Sequence, residues 1–402
     1  MENMNSTPVA NRFTIGIFGR RNVGKSSLLN AITKQSTALI SDVPGTTTDP
    51  VYKTMEILPI GPVAFVDTAG LDDVGELGTQ RVEKSYEVLR KCNFVILVTD
   101  EYGITQFEKD FIEELKSRKI PFIVVFNKCD GNDPTIAGNS GFPFVCVSTL
   151  KNKGIEDVKK QIIANSGIEY TQPSLIDGLI KPGETAILVT PIDSAAPKGR
   201  LILPQQQVIR DILDIGAMAY VTKETELKQT LQNLKTPPAI VITDSQAFKS
   251  VAADTPEDIP LTSFSILFAR QKADIAEMIR GVKRIETLSK GDSILIVEGC
   301  THHRQDDDIG TVKIPRWINK IVGEGLNYEW TSGAYFPKDI KKYSLIIHCG
   351  GCMLNNREMY YRVCKSREQG VYITNYGVLI AYVTGILPRA LKPFSNELSA
   401  LK

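Results

Sequence analysis

A glycine-rich segment near the start of the chain has the residue types and spacing of a phosphate-binding loop. Residues 19–26 read GRRNVGKS, which fits the pattern G-x-x-x-x-G-K-S. The glycines allow backbone N–H groups to face a phosphate, Lys25 supplies a positive charge, and Ser26 supplies a hydroxyl ligand for Mg²⁺. By itself the segment indicates either an ATPase or a GTPase. The residues expected to contact a nucleotide here are Gly19, Asn22, Val23, Gly24, Lys25, Ser26 and Ser27.

A second segment, DTAG at 67–70, follows an apolar run that has the composition of a strand. The Asp67 carboxylate can hold Mg²⁺ through water, and the Gly70 N–H can contact the γ-phosphate of a nucleotide. Between the first expected helix and this segment lies the polar loop PGTTTD at 44–49. Its hydroxyls offer a further Mg²⁺ ligand, and we expect Thr47, with Thr46 as the alternative. The expected Mg²⁺ ligands are therefore Ser26, Thr47 and Asp67.

Two later segments predict that the base of the nucleotide is guanine. The sequence NKCD at 127–130 ends another apolar run, and a carboxylate at Asp130 can accept two hydrogen bonds that guanine donates and adenine does not. Ser148 and Thr149 follow a fifth apolar run, where a backbone amide is expected to meet the guanine oxygen. The base-binding residues are expected to be Asn127, Lys128, Asp130, Ser148 and Thr149.

A separate group of sulfur and imidazole side chains lies in the last third of the chain. All three histidines of the protein are found there, beside the motif pair C-x-H and H-C-x-x-C. Three thiolates with glycines between the last two suit an iron–sulfur cluster, because glycine permits a tight turn and leaves N–H groups for the sulfides. A Cys₃His zinc site is the alternative, and unrelated surface thiols are the third possibility. The residues concerned are Cys300, His302, His303, His348, Cys349 and Cys352.

The elements that position these residues follow from an alternation of apolar strand-like runs with amphipathic helix-like segments. This alternation predicts an α/β fold of three domains, a P-loop GTPase domain with a mainly parallel sheet and then two smaller α/β domains. The predicted strands 293–297 and 344–347 precede the two cysteine motifs, so parallel pairing would bring both motifs to the same sheet edge. A third apolar run, 261–268, is also predicted to be a strand. The expected limits are a flexible tail at 1–11, the GTPase domain at 12–166, a linker at 167–184, a second domain at 185–270 and a third at 271–402.

The composition narrows the class of protein. Hydrophobic residues are 42% and charged residues 23%, which is typical of a globular domain. The net charge of +1 gives no basic field, so nucleic acid is not expected as the main partner. The N-terminal residues lack an apolar signal region, and the longest apolar stretch, 377–387, is far shorter than a bilayer span. We expect a cytoplasmic protein with no membrane association and with reduced cysteines.

Residues 12–166 resemble a GTPase domain of the TrmE–Era type, through the PGTT loop and the asparagine of the phosphate-binding loop. The resemblance implies that Asn22 helps to hold a potassium ion over the phosphates. Leu71 follows Gly70 at the place where Ras-like enzymes carry a water-orienting glutamine, so intrinsic hydrolysis is expected to be slow and potassium-stimulated. The residues expected to act in catalysis are Lys25, Thr47, Gly70 and Asn22.

Over essentially its full length the chain resembles the GTPases of [FeFe]-hydrogenase maturation, the HydF family. The GTPase motifs, the two cysteine motifs and the stretch DIGTVKIPRW at 308–317 carry this resemblance. It implies that Cys300, Cys349 and Cys352 bind a [4Fe–4S] cluster with a weaker, exchangeable fourth ligand. His302 and His348 are the candidates for that ligand, and Glu298 and Asp306 are competing oxygen ligands. The resemblance also implies a homodimer formed by the middle domain and a scaffold role. Such a scaffold receives a di-iron precursor from two radical-SAM maturases and delivers it to apo-[FeFe]-hydrogenase. The alternative is an RNA- or ribosome-associated GTPase with a structural zinc site.

Overall fold

The computed structural model describes residues 12–33, 51–71, 76–130, 141–167, 174–192, 201–299, 308–333 and 335–395. Contacts divide the chain into two units, Met1–Thr171 and Gln172–Lys402. Every helix in the described ranges is too short or too polar to cross a lipid bilayer. The predicted tail at 1–11 lies outside the described residues.

The first unit is built on a six-stranded sheet in the order β2-β3-β1-β4-β5-β6. Neighbouring strands are parallel except β2 and β3, where Val51 lies opposite Asp67. The strands are β1 (Phe13–Phe18), β2 (Val51–Ile57), β3 (Gly61–Asp67), β4 (Phe94–Thr99), β5 (Phe122–Phe126) and β6 (Phe144–Cys146). The helices are α1 (Lys25–Thr33), α2 (Glu76–Lys91), α3 (Gln106–Ser117) and α4 (Ile155–Asn165).

Alternate residues of these strands face opposite sides of the sheet and build two separate cores. Ile15 and Ile17 pack with α1 and α4, whereas Phe18 packs with α2 and α3. This period of two, on a sheet covered on both faces, is typical of a parallel α/β fold. The predicted fold class is confirmed, although β2 was not anticipated.

The second unit contains two four-stranded sheets, and all strand pairs in both are parallel. The first has the order β10-β9-β7-β8 and the second the order β12-β11-β13-β14. The first sheet and its helices are β7 (Thr185–Val189), α5 (Leu203–Asp214), β8 (Met218–Thr222), α6 (Leu227–Asn233), β9 (Ile240–Thr243), α7 (Phe248–Asp254) and β10 (Leu261–Ser263).

The chain then continues through two helices into the second sheet. These elements are α8 (Phe264–Lys272), α9 (Ile275–Lys283), β11 (Ser293–Glu298), a π-helical turn (Ile309–Lys313), α10 (Ile314–Val322), β12 (Asn327–Ser332), β13 (Leu345–His348), α11 (Asn356–Glu368), β14 (Tyr372–Asn375), α12 (Tyr376–Val383) and α13 (Leu387–Leu391). One continuous hydrophobic cluster joins both sheets of this unit. The two predicted domains thus share a core, and their division at 270 stays a prediction.

The predicted strand 261–268 is wrong beyond Ser263, where the chain turns into α8. The Ser263 hydroxyl accepts a hydrogen bond from the Ile266 N–H and caps the helix. Most residues of α8 are buried, so the helix has no continuous exposed face. A mostly buried helix lacks the 3.6-residue alternation of apolar and polar residues, so its short apolar run was mistaken for a strand.

The second half of the stretch predicted as a linker, 167–184, packs into the second unit. Leu175, Ile176 and Ile180 are buried in the core of the second unit. The backbone N–H of Leu175 also donates to Asp211 Oδ2 on α5 at 2.7 Å. The second unit therefore includes residues that the sequence analysis assigned to the linker.

Candidate functional sites

The phosphate-binding loop connects β1 to α1, and its glycines are required by close backbone packing. Gly24 has φ +91°, and a Cβ there would lie 2.3 Å from Asn127 Nδ2. A Cβ on Gly19 would lie 2.2 Å from the Val98 carbonyl oxygen. Asn22 adopts a left-handed conformation with φ 60°. A side chain at Gly19 or Gly24 would therefore clash with neighbouring atoms. The loop leads directly into the N-terminus of α1, where an anion is favoured.

Lys25 and Ser26, the first residues of α1, lie where the sequence motif requires them. The Lys25 ammonium donates to the carbonyl oxygens of Gly19 at 3.0 Å and Arg20 at 2.7 Å. It is therefore held over the loop, where it can neutralise a phosphate. Val23 is buried beneath the loop, whereas Ser27 is exposed on α1.

The Ser26 hydroxyl donates to Asp67 Oδ2 at 2.5 Å, so two of the three expected Mg²⁺ ligands are in contact. Burial raises the pKa of the Asp67 carboxyl, although the Ser26 hydrogen bond and the Lys25 charge oppose this shift. The second carboxylate oxygen, Oδ1, is buried and has no hydrogen-bond partner among the described residues. A buried, unsatisfied carboxylate oxygen next to a hydroxyl fits Mg²⁺, which prefers such oxygen ligands.

The DTAG segment continues from β3 to the edge of the phosphate loop. The Thr68 hydroxyl donates to the Ile17 carbonyl, and the Leu71 N–H approaches the Gly19 carbonyl at 3.5 Å. Gly70 is buried between these contacts. The expected γ-phosphate sensor therefore lies beside the loop. Thr47, the other expected Mg²⁺ ligand, lies outside the described residues.

Asn127 links the base-binding segments to the phosphate loop. Its Nδ2 donates to the Val23 carbonyl at 3.0 Å, and its Oδ1 accepts the Thr149 N–H at 3.3 Å. The Ser148 hydroxyl donates to Asp130 Oδ1, which brings the two predicted base-binding segments together. Lys128, between them, has φ 65°. The structure thus brings together all the predicted base-binding residues at one end of the sheet.

Sequence reasoning missed a charged contact of the phosphate loop. Arg20 Nε donates to Glu108 Oε1 at 2.6 Å, and Glu108 on α3 is fully buried. The same carboxylate accepts the Thr105 N–H in a capping box at the start of α3. The sequence signal was the spacing T-x-x-E at 105–108, which marks a helix N-terminus.

The second site lies at the carboxyl edge of the sheet β12-β11-β13-β14. Strands β11 and β13 are parallel neighbours, with Val297 opposite His348, so the prediction that they end at one edge is confirmed. The Gly299 N–H donates to Cys349 Sγ at 3.0 Å, and the Gly351 N–H approaches the same sulfur at 3.4 Å. Two backbone N–H groups are thus directed at one sulfur atom.

Cys352 lies at the other end of this turn, next to a lysine from a different helix. Burial raises the pKa of the Cys352 thiol, and the positive charge of Lys272 counteracts that shift. Burial lowers the pKa of Lys272 to about 8, while the charges of Cys352 and Cys349 act to raise it. Lys272 ends α8, far from the cysteines in sequence, so no local pattern could have indicated it.

His348, a predicted candidate for the fourth cluster ligand, is fully buried and has a partner on each ring nitrogen. Nδ1 lies 2.8 Å from the Cys349 carbonyl oxygen, and Nε2 lies 2.9 Å from Arg362 Nη1. Because an arginine can only donate and a carbonyl can only accept, Nδ1 carries the proton and Nε2 accepts. Burial, and then the Arg362 charge, lowers the pKa of His348 to about 3, so the ring is neutral.

Within the described part of the chain, no group of three or more metal-binding side chains is arranged to hold an ion. Cys300 and His302 lie within 300–307, outside the described residues, although Cys300 directly follows Gly299. The remaining donor set still fits a thiolate-bound group, because Cys349 receives backbone N–H bonds and a buried cation lies at the Cys352 turn.

Three family models match the chain in sequence order. The 50S ribosome-binding GTPase model matches residues 14–128. The hydrogen maturase F dimerization domain matches residues 175–273, and the hydrogen maturase F tetramerization domain matches residues 276–393. The chain belongs to the hydrogen maturase F family. Its first unit is a P-loop GTPase domain, a class that binds GTP with Mg²⁺, and its second unit contains both maturase F domains.

Relatives outside the maturase F family match the GTPase domain. The tRNA modification GTPase MnmE of Nitrosomonas europaea is 32% identical over 153 residues, which is 37% of this chain and 34% of the relative. The Aquifex aeolicus MnmE is 36% identical over 156 residues, 38% of this chain and 34% of the relative. The chain spans about a third of the length of these curated relatives.

Solved structures of GTPases also align with the chain. The G domain of the T. maritima FeoB iron transporter is 22% identical, with 38% of this chain and 98% of that chain covered and a TM-score of 0.31. An Aquifex aeolicus Era variant bound to GDP and AlF₄⁻ is 19% identical, with 52% and 91% covered and a TM-score of 0.31.

Proposed function

We propose that this chain is a GTP-hydrolysing scaffold of [FeFe]-hydrogenase maturation that binds a [4Fe–4S] cluster and delivers a di-iron precursor to apo-hydrogenase. The observation that carries the proposal is the hydrogen bond from the Gly299 N–H to Cys349 Sγ, within a chain of the maturase F family. This bond places the residue next to Cys300 at the sulfur of Cys349. Because Cys300 follows Gly299 in the sequence, this contact supports the proposal that both cysteine motifs bind one group.

In the nucleotide site we assign each residue the role that its sequence motif predicts, supported for Lys25, Ser26 and Asp67 by the contacts described above. Lys25 neutralises the β- and γ-phosphates, Ser26 and Asp67 hold Mg²⁺ together with Thr47, and Gly70 contacts the γ-phosphate. Asp130 selects guanine by its two hydrogen bonds. Hydrolysis is slow because the apolar Leu71 cannot orient water. Potassium bound near Asn22 supplies additional positive charge.

In the cluster site, Cys300, Cys349 and Cys352 are the three thiolate ligands, and the backbone N–H groups of Gly299 and Gly351 stabilise the Cys349 sulfur. A [4Fe–4S] cluster held by three thiolates supplies one exchangeable iron coordination position, to which a ligand of the di-iron cargo can bind. Of the two predicted histidine ligands, we favour His302. His348 already uses both ring nitrogens, so it orients Cys349 instead.

We also propose that the chain forms a homo-oligomer and acts together with other proteins. The descriptions of the two maturase F domains name dimerisation and tetramerisation, which supports a homodimer or a larger homo-oligomer. Radical-SAM maturases would supply the di-iron precursor, and apo-[FeFe]-hydrogenase would accept it, all in the cytoplasm.

A second function, an RNA- or ribosome-associated GTPase with structural zinc, is favoured by one observation. The GTPase model and the MnmE relatives carry ribosome and tRNA in their descriptions. The GTPase model ends at residue 128. The net charge of +1 offers no basic field over the whole chain that would favour nucleic acid.

Anaerobic reconstitution of the full chain with ferrous iron and sulfide distinguishes the cluster-binding scaffold from the RNA-associated GTPase with structural zinc. We expect about four irons and four sulfides per chain, as the cluster type requires. The electron paramagnetic resonance signal of a reduced [4Fe–4S] cluster should be lost in Cys349→Ser. The matched control is Cys364→Ser, a thiol on α11 with no assigned role. Stoichiometric zinc without any cluster, together with RNA binding that weakens steeply with salt, would instead establish the second function.

A further inference from the structure

The cysteine turn at 349–354 rests on a helix that belongs to the other sheet of the second unit. Helix α8 leaves the end of β10 and ends at Lys272. Near its start, Ser265 lies against Gly350, since a Cβ on that glycine would come 3.2 Å from Ser265 Oγ. Asn375 Nδ2 donates to the Ser265 carbonyl at 2.9 Å and ties α8 to the cluster sheet. Helix α8 therefore packs against the cysteine turn and forms the platform on which it lies.

Lys272 fixes the turn at the far end of this platform. Its ammonium donates to the carbonyl oxygens of Gly351 at 3.1 Å and Leu354 at 2.7 Å. The Cys352 carbonyl oxygen lies 3.4 Å from the same nitrogen. One ammonium group thus lies next to three carbonyl oxygens of the turn. Gly351 within this turn has φ +64°, a conformation that glycine adopts readily.

The charge of Lys272 is unusual for its surroundings. The residue is only 6% exposed, and the aromatic ring of Phe268 lies 4.9 Å from the ammonium. No carboxylate in the described part of the chain forms an ion pair with it. A buried cation without a counter-ion is costly, and carbonyl dipoles compensate it only in part. When Cys349 and Cys352 bind a cluster as thiolates, the positive charge of Lys272 can stabilise their negative charge.

We propose that Lys272 is a positioning residue that holds the Cys349–Cys352 turn in its ligating conformation and places a positive charge beside the bound cluster. The inference rests on the proposed cluster-binding function and adds a residue from outside both cysteine motifs. A fixed positive charge stabilises the more negative, reduced state of the cluster and so raises its reduction potential. Lys272 is on α8, which lies within the stretch matched by the dimerization domain. The inference therefore links the geometry of the cysteine turn to that domain.

The test uses three substitutions of Lys272 in the full chain, reconstituted anaerobically with ferrous iron and sulfide. Lys272→Met removes the hydrogen bonds and the charge. Lys272→Gln retains N–H donors without the charge, and Lys272→Arg retains the charge. The matched control is Lys365→Met, because Lys365 is also buried and its ammonium contacts Tyr361 and Phe336 rather than the turn. Thermal melting of each apo-protein shows whether the fold is kept.

Two measurements are made, cluster retention against an iron chelator and the midpoint potential from a redox titration followed by electron paramagnetic resonance. We expect Lys272→Met to lose the cluster roughly tenfold more readily, as for other residues that support metal ligands. Its midpoint potential should shift to a more negative value, and Lys272→Gln should show the same shift. Lys272→Arg and Lys365→Met should keep the wild-type potential.

The outcomes separate this inference from the function on which it rests. If the wild-type chain binds no cluster, the proposed function fails and the inference fails with it. If the wild type binds a cluster but the neutral variants keep both its retention and its potential, only the inference is overturned. An unchanged potential in every folded variant, even with weaker retention, also overturns it, because a purely structural lysine would behave that way.

Discussion

The Nε2 atom of His348 accepts a hydrogen bond from Nη1 of Arg362 at 2.9 Å, deep inside the second unit. Both residues are fully buried. Arg362 also donates through Nε to Glu358 Oε1 at 2.9 Å, so a guanidinium on α11 connects a buried carboxylate to the histidine that precedes Cys349. The chain of contacts continues from His348 Nδ1 to the Cys349 carbonyl. This network fixes the histidine tautomer and, through it, the start of the cysteine turn.

Removing Arg362 should therefore destabilise the second unit strongly. We expect Arg362→Leu to lower the free energy of unfolding by about 3–5 kcal/mol, because the buried Glu358 charge then has no partner. The double variant Glu358→Leu/Arg362→Leu should recover much of that loss. Urea unfolding followed by circular dichroism measures both. A loss below about 1 kcal/mol in the single variant, typical of an exposed pair, would show that the network is not needed.

Glu277, on the surface of the same unit, is expected to make a smaller contribution to the free energy of unfolding, and this contribution depends on pH. Hydrogen bonds from Arg280, and secondarily from Arg367 on α11, lower the pKa of the Glu277 carboxyl. A carboxyl whose folded pKa is depressed stabilises the fold above its unfolded pKa of about 4.3, and this stability is lost as pH falls.

The variant Glu277→Gln should thus be less stable than wild type at pH 7, by under about 1 kcal/mol because the pair is partly exposed. The difference should shrink between about pH 5 and pH 3 as the wild-type carboxyl is protonated. Unfolding midpoints in urea across this range measure it. A difference that stays constant, or grows as the pH falls, would contradict the assignment.

The two sites differ in how much of them the sequence could predict. In the nucleotide site nearly every predicted residue falls in a short motif, because the expected phosphate contacts come from consecutive loop residues and the expected guanine contacts from residues that directly follow strands. Parallel pairing of β11 and β13 was also predictable from their apolar composition. Lys272 and Arg362 were not, since buried cations run against composition rules. In addition, the Gly351 carbonyl that Lys272 contacts lies 79 residues away along the chain. Strand β2 was missed because it lies at the sheet edge with alternating exposure, and no chemistry marks it.

A substitution at Gly24 should separate steric from conformational effects in the phosphate loop. Gly24 and Gly103 have nearly equal φ values, +91° and +90°, but a Cβ at Gly24 meets Asn127 Nδ2 whereas a Cβ at Gly103 meets nothing within 4 Å. Alanine at either position has an unfavourable positive φ, which costs about 1 kcal/mol or more.

Only Gly24→Ala should abolish binding of a fluorescent guanine nucleotide, because Asn127 must move and the loop with it. Gly103→Ala should bind with the wild-type Kd and show only a modest loss of thermal stability. Equal binding by both variants would mean that the close approach of Gly24 to Asn127 is not needed for the site. Equal loss by both would place the defect in backbone strain.

Asp130 carries the prediction about base specificity. Its Oδ1 already accepts a hydrogen bond from Ser148, which orients the carboxylate, and Lys151 Nζ donates to its backbone carbonyl. An ionised carboxylate accepts both N–H groups of guanine, whereas the amide of Asp130→Asn presents one donor group and so leaves a guanine N–H unpaired. We expect a loss of GTP affinity of at least about 100-fold.

Xanthine has a carbonyl in place of the guanine amine, so the same amide donor should suit it. Asp130→Asn should therefore bind xanthosine triphosphate more tightly than GTP, as measured by isothermal titration calorimetry. The matched control is Asp157→Asn on α4, whose carboxylate is 61% exposed and pairs with Lys160 away from these segments. That control should keep the wild-type preference for GTP. If Asp130→Asn still binds GTP at the wild-type Kd, Asp130 does not read the base, and the guanine assignment of this domain loses its physical basis.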